Sequence, residues 1–372
     1  MNNASLLATL PKPQPSGGQD NYDSIIQKRL NASPFCAENY RRFKQTNNHA
    51  AEINYLPVRL DIENVSRCNF ACSMCQVSLW DKGVRANDMS YDTFCSLIDD
   101  LPSLVEIKIQ GFGEPLLAAY TFFEMIKYAR NQLLWVRSTI NGSLLHVNNN
   151  VSKIIDSDIN EVTISLDGAT KATFESIRHK SNFDQVVRNS ELIASELIKR
   201  GSSHILKFNT TLQSLNFHEQ RSLIDLVSSI GGSNLTFTYS ISEFGDPEWH
   251  KRNDSKEMSL FLDYNECVDL VSYATSKGVN LTFWAGLDKY NASKGDICPW
   301  PFSRLYISSD ARLVPCCIIG NPDTYEFNSD RTDTLGNQVK DLWNSSTMKQ
   351  FREAHINNDI PDVCKYCYVN CK

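Results

Sequence analysis

The chain alternates short apolar strands with amphipathic helices from Leu56 to about residue 245. In the first strand, 57–63, apolar and polar residues alternate as in a half-buried strand. Further strands are predicted at 104–109, 134–140, 161–166, 205–212 and 234–240, and helices at 90–101, 121–131, 151–157, 183–200 and 218–230. Strands that alternate with helices predict parallel βα units. The pattern therefore predicts an α/β protein whose largest part is a partial (β/α)6 barrel of the TIM type.

The two ends of the chain follow other patterns. Residues 1–20 combine Pro11, Pro13 and Pro15 with glycines and polar side chains, a composition that predicts a flexible tail. We expect a helical N-terminal extension at 21–52, the barrel at 53–245 and a linking helix and strand at 246–290. Residues 291–372 predict a small α+β domain, with strands at 305–307 and 313–317 joined by a turn and a helix at 339–354.

Composition excludes several function classes. The chain has 372 residues, of which 41% are hydrophobic, and a formal net charge of -6, so it lacks the basic surface of a nucleic-acid-binding protein. It contains no run of about 18 apolar residues and no signal-peptide pattern at its amino terminus. We therefore expect a cytoplasmic protein that binds neither nucleic acid nor membranes.

Three cysteines stand close together just after the first predicted strand. Cys68, Cys72 and Cys75 have the spacing C-x3-C-x2-C, and the chain has twelve cysteines in all. In a reducing compartment clustered cysteines are more often metal ligands than disulfides. Thiolates hold iron–sulfur clusters, and three ligands would leave one iron of a cubane open. A zinc site that lacks one ligand, or a chance group of buried thiols, remains the alternative interpretation.

The triplet resembles the signature of the radical S-adenosylmethionine (SAM) superfamily. This resemblance implies that Cys68, Cys72 and Cys75 hold a 4Fe-4S cluster, and that SAM bound there yields a 5′-deoxyadenosyl radical that abstracts a substrate hydrogen atom. Many family members have an aromatic residue where this chain has Met74, but a thioether packs against adenine in a similar way.

Polar and glycine-rich segments follow three later strands, where a βα barrel gathers its functional groups. Each segment alone is a common turn, but their order resembles the family's SAM-binding pattern. The resemblance implies that the methionyl amino group of SAM meets Gly111, Gly113, Glu114 and Pro115. It also implies that Asn141 and Ser165 face the methionyl carboxylate or the ribose, and that Asp167 belongs to the same site.

The last quarter of the chain contains six further cysteines and resembles the SPASM and twitch extensions, of which the shorter twitch form is the better match. The resemblance implies one auxiliary 4Fe-4S cluster, with the ligands Cys298, Cys316, Cys364 and Cys367. A structural zinc site is the rival interpretation. Adjacent strand residues face opposite sides, so we expect Cys317 to be spare. Its expected role is buried filler, and the other candidate roles are substitute ligand and hydrogen donor to a substrate radical.

The resemblance implies an oxidoreductase, and we expect it to dehydrogenate a small carbohydrate- or aminocyclitol-like substrate, with a flavodoxin- or ferredoxin-type electron donor. Alternatives are a peptide-modifying maturase or an epimerase and, outside enzymes, an iron–sulfur electron-transfer protein or a zinc-stabilised binding module. The roughly 30 ordered-looking residues before the barrel are fewer than a leader-peptide recognition domain needs. This favours a small substrate over a peptide.

Overall fold

A computed structural model describes residues 6–7, 9–46, 50–80, 87–239, 247–256, 263–284, 297–327 and 333–365. Its strands are β1 (Arg59–Ile62), β2 (Ala71–Cys72), β3 (Glu106–Ile109), β4 (Trp135–Ile140), β5 (Glu161–Ser165), β6 (Arg178–His179), β7 (Leu206–Thr211), β8 (Asn234–Thr238), β9 (Asn280–Trp284), β10 (Arg304–Ile307) and β11 (Leu313–Val314). Its α-helices are α1 (Gly18–Ala32), α2 (Pro34–Gln45), α3 (Tyr91–Asp100), α4 (Ala119–Asn131), α5 (Asn150–Asp156), α6 (Lys171–Ile177), α7 (Phe183–Lys199), α8 (Gln220–Ile230), α9 (Pro247–Asn253), α10 (Tyr264–Ser276), α11 (Trp300–Ser303), α12 (Leu335–Trp343) and α13 (Ser346–Ile356).

One sheet of nine strands organises the fold, in the order β11-β10-β1-β3-β4-β5-β7-β8-β9. All neighbours are parallel except β10 and β11. The α/β class and the partial barrel are therefore confirmed. The six predicted barrel strands form the centre of the sheet. Strand β9 is added beside β8, and the pair β10 and β11 is added beside β1.

Alternation along each strand separates the core from the inside of the barrel. On β3, Ile107 and Ile109 are fully buried in the hydrophobic core, whereas Glu106 and Lys108 line the concave side of the sheet. Helix ends follow the sequence as well. Ser90 caps α3 as predicted, because its side chain accepts a hydrogen bond from the amide of Thr93. None of the described helices is both long and apolar enough to cross a membrane.

The described part of residues 1–20 differs from the predicted flexible tail. The amide and hydroxyl of Ser16 donate to Glu161 at 3.1 and 3.2 Å, and the Lys207 ammonium donates to the carbonyl of Gln14. The amide of Phe283 donates to the carbonyl of Pro11 at 2.8 Å. Residues 11–16 therefore lie against the barrel strands, because β5, β7 and β9 supply polar partners that the local composition does not reveal.

The C-terminal hairpin is confirmed in part. Strands β10 and β11 pair antiparallel, with Ile307 opposite Leu313, but β11 ends at Val314 instead of continuing to Cys317. Pro315 lacks an amide hydrogen, and a turn begins at Cys317. The helix predicted at 339–354 is divided into α12 and α13, because Ser345 caps the second helix through the amide of Met348.

Candidate functional site

A cavity of about 570 Å³ lies on the concave side of the barrel sheet. Its lining includes most of the residues that the sequence assigned to the cluster and to SAM: Cys68, Cys72, Cys75, Gly111, Gly113, Glu114, Asn141 and Ser165. Pro115 and Asp167 lie outside this lining, although both are buried nearby. The structure thus brings residues from four separate loops to one end of the barrel.

The cysteine loop is held in place by backbone contacts. Strand β2 pairs with β6, so that Cys72 lies opposite Arg178, and the amide of Ser73 donates to the carbonyl of Ile177 at 2.8 Å. The Ser78 hydroxyl donates to the carbonyl of Cys72 at 2.7 Å. These contacts fix the backbone around the three thiols.

The three thiols fit an iron–sulfur cluster. Burial, with smaller contributions from neighbouring acidic groups and thiols, raises the pKa of Cys68 and that of Cys75 to about 12, and burial raises the pKa of Cys72 as well. A bound metal would add the positive charge that stabilises the thiolate forms. Across the described ranges, no three His, Cys, Asp or Glu side chains converge on a single metal ion. A cubane does not require that convergence, since each thiolate binds a different iron.

Gly111 and Gly113 are required by close packing. A Cβ atom on Gly111 would lie 2.2 Å from the side chain of Glu63, and one on Gly113 would lie 2.1 Å from the carbonyl oxygen of Val65. The amide of Glu114 donates to the carbonyl of Arg67 at 3.0 Å. The loop after β3 therefore packs against the segment that leads from β1 to the cysteines. The sequence explained these glycines by contact with SAM and did not predict this packing.

Glu114 is a buried carboxylate without a cationic ion-pair partner among the described residues. It accepts hydrogen bonds from the amide of Asn141 at 2.7 Å and from the amide of Leu116 at 3.2 Å. Burial outweighs these bonds and raises its pKa to about 7. A ligand ammonium beside Glu114 would favour the ionised form, so the geometry suits the predicted contact with the methionyl amino group.

Asn141 connects the loop after β4 to the cysteine loop. Its side-chain amide donates to the Asn69 carbonyl oxygen at 2.9 Å and lies 3.9 Å from the sulfur of Cys68. Its own carbonyl oxygen accepts from the amide of Ser143 at 2.9 Å. Ser165, at the end of β5, lines the cavity and is half-buried.

Asp167 contacts another side chain, Arg178, which the sequence argument did not identify. The Asp167 carboxylate accepts from two guanidinium nitrogens of Arg178, at 2.8 and 2.7 Å, and from the amide of Thr211 at 2.8 Å. Arg178 lines the cavity, and one of its nitrogens lies 4.0 Å from the sulfur of Cys72. In this structure Asp167 orients Arg178 toward the cluster loop. Sequence could have suggested this only through the acidic and basic residues that flank α6.

The opposite end of the cavity contains a second buried carboxylate, Glu106. It forms ion pairs with Arg59 at 3.0 Å and Arg137 at 2.9 Å, and it accepts a hydrogen bond from the Tyr22 hydroxyl at 2.8 Å. Burial opposes ionisation, but the surrounding guanidinium groups outweigh it and hold the pKa of Glu106 far below its usual range. Helix α1 thus closes the amino end of the barrel through Tyr22.

The predicted auxiliary ligands are described only in part. Cys298 and Cys316 are half-buried and Cys364 is buried, whereas Cys367 and Cys371 lie outside the described residues. Because β11 ends before Cys316, strand alternation does not separate Cys316 from Cys317. Cys317 makes a small electrostatic contribution that raises the pKa of Lys108, a residue that lines the barrel cavity.

Glu63 joins the C-terminal hairpin to the loop after β3. One of its carboxylate oxygens accepts from the amide of Phe112 at 2.9 Å, and the other accepts from the amide of Ser309 at 3.0 Å. Glu63 is fully buried at the end of β1. A single carboxylate thereby fixes the position of the small domain relative to the barrel loop that contains Gly111.

Comparisons with known proteins agree with this arrangement. The radical SAM superfamily matches residues 63–218, and SPASM, an iron–sulfur cluster-binding domain, matches residues 298–368. Mycofactocin maturase MftC of Mycolicibacterium smegmatis is 30% identical over 141 residues, which are 37% of this chain and 35% of that protein. The match thus spans about a third of the curated relative's length.

Solved structures show the same fold at low sequence identity. The structure of Streptococcus suis SuiB bound to its precursor peptide SuiA has a TM-score of 0.62 and 13% identity, and the alignment covers 84% of this chain and 69% of that one. SuiB bound to S-adenosylmethionine has a TM-score of 0.60 and 15% identity, with coverage of 79% and 67%.

The family matches and the geometry of the cysteine loop lead to the same cofactors: a 4Fe-4S cluster, SAM and an auxiliary iron–sulfur cluster. The four auxiliary ligands and the choice of the twitch form stay predictions. The chain belongs to the radical SAM superfamily and has a C-terminal SPASM domain.

Proposed function

We propose that this protein is a peptide-modifying radical SAM enzyme that abstracts a hydrogen atom from a residue of a peptide substrate. The observation that carries the proposal is the similarity of this chain to mycofactocin maturase MftC, at 30% identity over 141 residues. The fold shared with SuiB, whose structure contains a precursor peptide, supports it. Peptide modification is therefore better supported than the dehydrogenation of a carbohydrate- or aminocyclitol-like substrate that the sequence led us to expect.

The cavity suits such a substrate. Its volume of about 570 Å³ lies in the range of ordinary ligand sites. It extends from the cysteine loop to Arg59 and Glu106 at the other end of the strands, and Trp284 at the edge strand β9 forms part of its wall. The cavity therefore continues past the loops that would hold the cluster and SAM, and a group of the substrate would enter its remaining part.

The residues of this chain have distinct roles in the proposal. Cys68, Cys72 and Cys75 would hold the cluster, Glu114 would orient SAM through its ammonium group, and Asn141 would keep the two loops together. When bound, the cluster and SAM supply the 5′-deoxyadenosyl radical, which the barrel shields from water. Arg178 would act as a positioning residue beside Cys72.

The test uses hydrogen transfer as its readout. The protein is purified anaerobically, its iron is reconstituted, and SAM, dithionite and deuterated candidate substrates are added. Peptides encoded by neighbouring genes form one set, and carbohydrates and aminocyclitols form the other. We expect deuterium in 5′-deoxyadenosine and a mass change in a peptide. Deuterium transfer from a carbohydrate or aminocyclitol alone would contradict the proposal.

A further inference from the structure

The amino half of the cavity carries more positive than negative charge. Five cationic side chains line it: Arg59, Lys108, Arg137, Lys207 and Arg304. Among the described residues, three carboxylates lie beside them: Asp61, Glu106 and Glu161. Five cations against three carboxylates leave two positive charges without compensation inside the barrel.

Two of the carboxylates are committed to other cations. Glu106 pairs with both Arg59 and Arg137 at 3.0 and 2.9 Å. Glu161 pairs with Lys207 at 2.6 Å and also accepts from Ser16. The third carboxylate, Asp61, acts on the two remaining cations, which come from β3 and β10. One excess positive charge therefore belongs to this group, and the other belongs to the two arginines that share Glu106.

Arg304 on β10 is only weakly neutralised. Its nearest carboxylate oxygen, on Asp61, lies 3.8 Å away, and its buried Nε has no hydrogen-bond partner in the described part of the chain. The guanidinium lies over the ring of Trp300 at 4.6 Å, which fixes its plane. Burial and the neighbouring Arg59 lower the pKa of Arg304.

Lys108 on β3 has even less compensation. Its register partner on β1 is Asp61, yet the described residues provide the Lys108 ammonium with neither a hydrogen bond nor an ion pair. Burial, followed by the charge of Arg137, lowers the pKa of Lys108. Gln110, the next cavity-lining residue along the chain, lies just after β3 and has a buried side-chain oxygen without a partner in the described structure.

The position of Lys108 relates this charge to the reaction site. Lys108 precedes Gly111 by three residues, which is about 10 Å along an extended strand. A ligand group held by Lys108 would therefore lie deeper in the barrel than the SAM-binding loop. The remainder of the same ligand would extend toward that loop.

We propose that Lys108 and Arg304 form a subsite for a carboxylate of the peptide substrate. This inference rests on the proposed peptide-modifying function and adds part of the substrate's chemistry. A carboxylate would supply an acceptor for the Lys108 ammonium and for the Nε of Arg304, and a charge-assisted hydrogen bond is stronger than a neutral one. The carboxylate could be an acidic side chain or the end of the peptide, and both present the same group.

The test measures binding to the reconstituted enzyme with SAM present, by anaerobic titration calorimetry. Three probes are compared: acetyl-Ala-Ala-Glu-Ala-amide, its glutamine analogue, and acetyl-tetraalanine with a free carboxyl end. We expect at least one carboxylate probe to bind about tenfold more tightly than the glutamine analogue. The probe that is preferred identifies the source of the carboxylate.

Variants separate the subsite from a general charge effect. Lys108→Met should abolish the preference, and Lys108→Arg should retain it, which also shows that the site tolerates substitution. Lys127→Met, on the exposed surface of α4, removes the same charge and should leave the preference unchanged. Equal binding of all three probes to the unmodified enzyme, or a preference that survives Lys108→Met, would overturn the inference.

A separate measurement distinguishes failure of the subsite from failure of the proposed function. Reductive cleavage of SAM to 5′-deoxyadenosine is followed with the same enzyme preparations, without peptide. If the enzyme cleaves SAM but binds the three probes equally, the carboxylate subsite is wrong and the proposed function stands. If no 5′-deoxyadenosine forms in the unmodified enzyme, the proposed function itself fails.

Discussion

Two buried carboxylates at opposite ends of one cavity behave in opposite ways. Glu106, at the amino end, is surrounded by two arginines and a tyrosine hydroxyl, and its pKa lies far below the usual range. Glu114, at the carboxyl end, accepts hydrogen bonds from two backbone amides and forms no ion pair within the described residues, and burial raises its pKa to about 7. A buried carboxylate that is paired with cations of the protein stabilises the fold, whereas one without an ion-pair partner is suited to bind a cationic ligand.

The largest expected effect comes from the cluster loop beside Glu114. Replacing Cys72 with Ala should reduce 5′-deoxyadenosine formation to background, because a cubane held by two thiolates does not present SAM correctly. Iron content and product formation are measured together. Cys36→Ala is the matched control, since Cys36 is also fully buried but lies in the N-terminal extension. Near-normal product from Cys72→Ala would contradict the cluster assignment.

The next effect is on stability and belongs to Glu106. Glu106→Gln leaves the charges of Arg59 and Arg137 unpaired and should lower the free energy of unfolding by about 3 kcal/mol at neutral pH. The folded-state pKa of Glu106 is depressed, so below about pH 4.5 the carboxyl protonates in the unfolded chain while it stays ionised in the folded protein. The stability that Glu106 contributes, and with it the loss caused by Glu106→Gln, should therefore shrink as the pH falls further. Urea midpoints at two pH values measure it. The control Glu124→Gln, at an exposed pair, should cost less than about 0.5 kcal/mol.

A smaller effect on ligand binding belongs to Glu114. Glu114→Gln removes a charge-assisted contact and should weaken SAM binding by about 1.5–3 kcal/mol, with iron content unchanged. Glu106→Gln should leave SAM affinity unchanged. Equilibrium binding of SAM to both reconstituted variants tests the contrast between Glu114 and Glu106. If the two substitutions weaken SAM binding equally, the contrast is wrong.

The smallest effect is the pH dependence of SAM binding. Glu114 binds a proton below its pKa of about 7, so its contact with an ammonium should strengthen as the pH rises through that value. From about pH 6 to about pH 7.5 we expect SAM affinity to increase about fivefold in the unmodified enzyme. In Glu114→Gln the affinity should be flat over this range. A similar slope in both proteins would place the titrating group elsewhere.

The sequence predicted best what depends on neighbouring residues. The cap at Ser90, the central strands and the three cysteines of the first loop all follow from local spacing, and the structure brings Cys68, Cys72 and Cys75 to one cavity. Local spacing also placed Gly111 and Glu114 at the end of a strand. Their roles toward SAM stay predictions.

What the sequence did not predict depends on partners far along the chain. Asp167 is buried against Arg178, and residues 11–16 bind Glu161, Lys207 and β9, none of which a composition of prolines and glycines reveals. The pairing of β10 with β1 is likewise invisible in either segment. Strand alternation alone could not assign Cys316 and Cys317, because the strand ends before them.

The pairing of β1 with β10 also determines the order in which the molecule can be completed during translation. Arg59 and its partner Arg304 are separated by 245 positions, so the ribosome needs roughly 10 to 50 seconds to make the second strand after the first. Until then β1 is an open strand edge beside the cysteine loop, and open edges pair readily with other chains. Nascent chains that stop before residue 304 should therefore aggregate, because β10 of the small C-terminal domain is the strand that pairs with the open edge of β1.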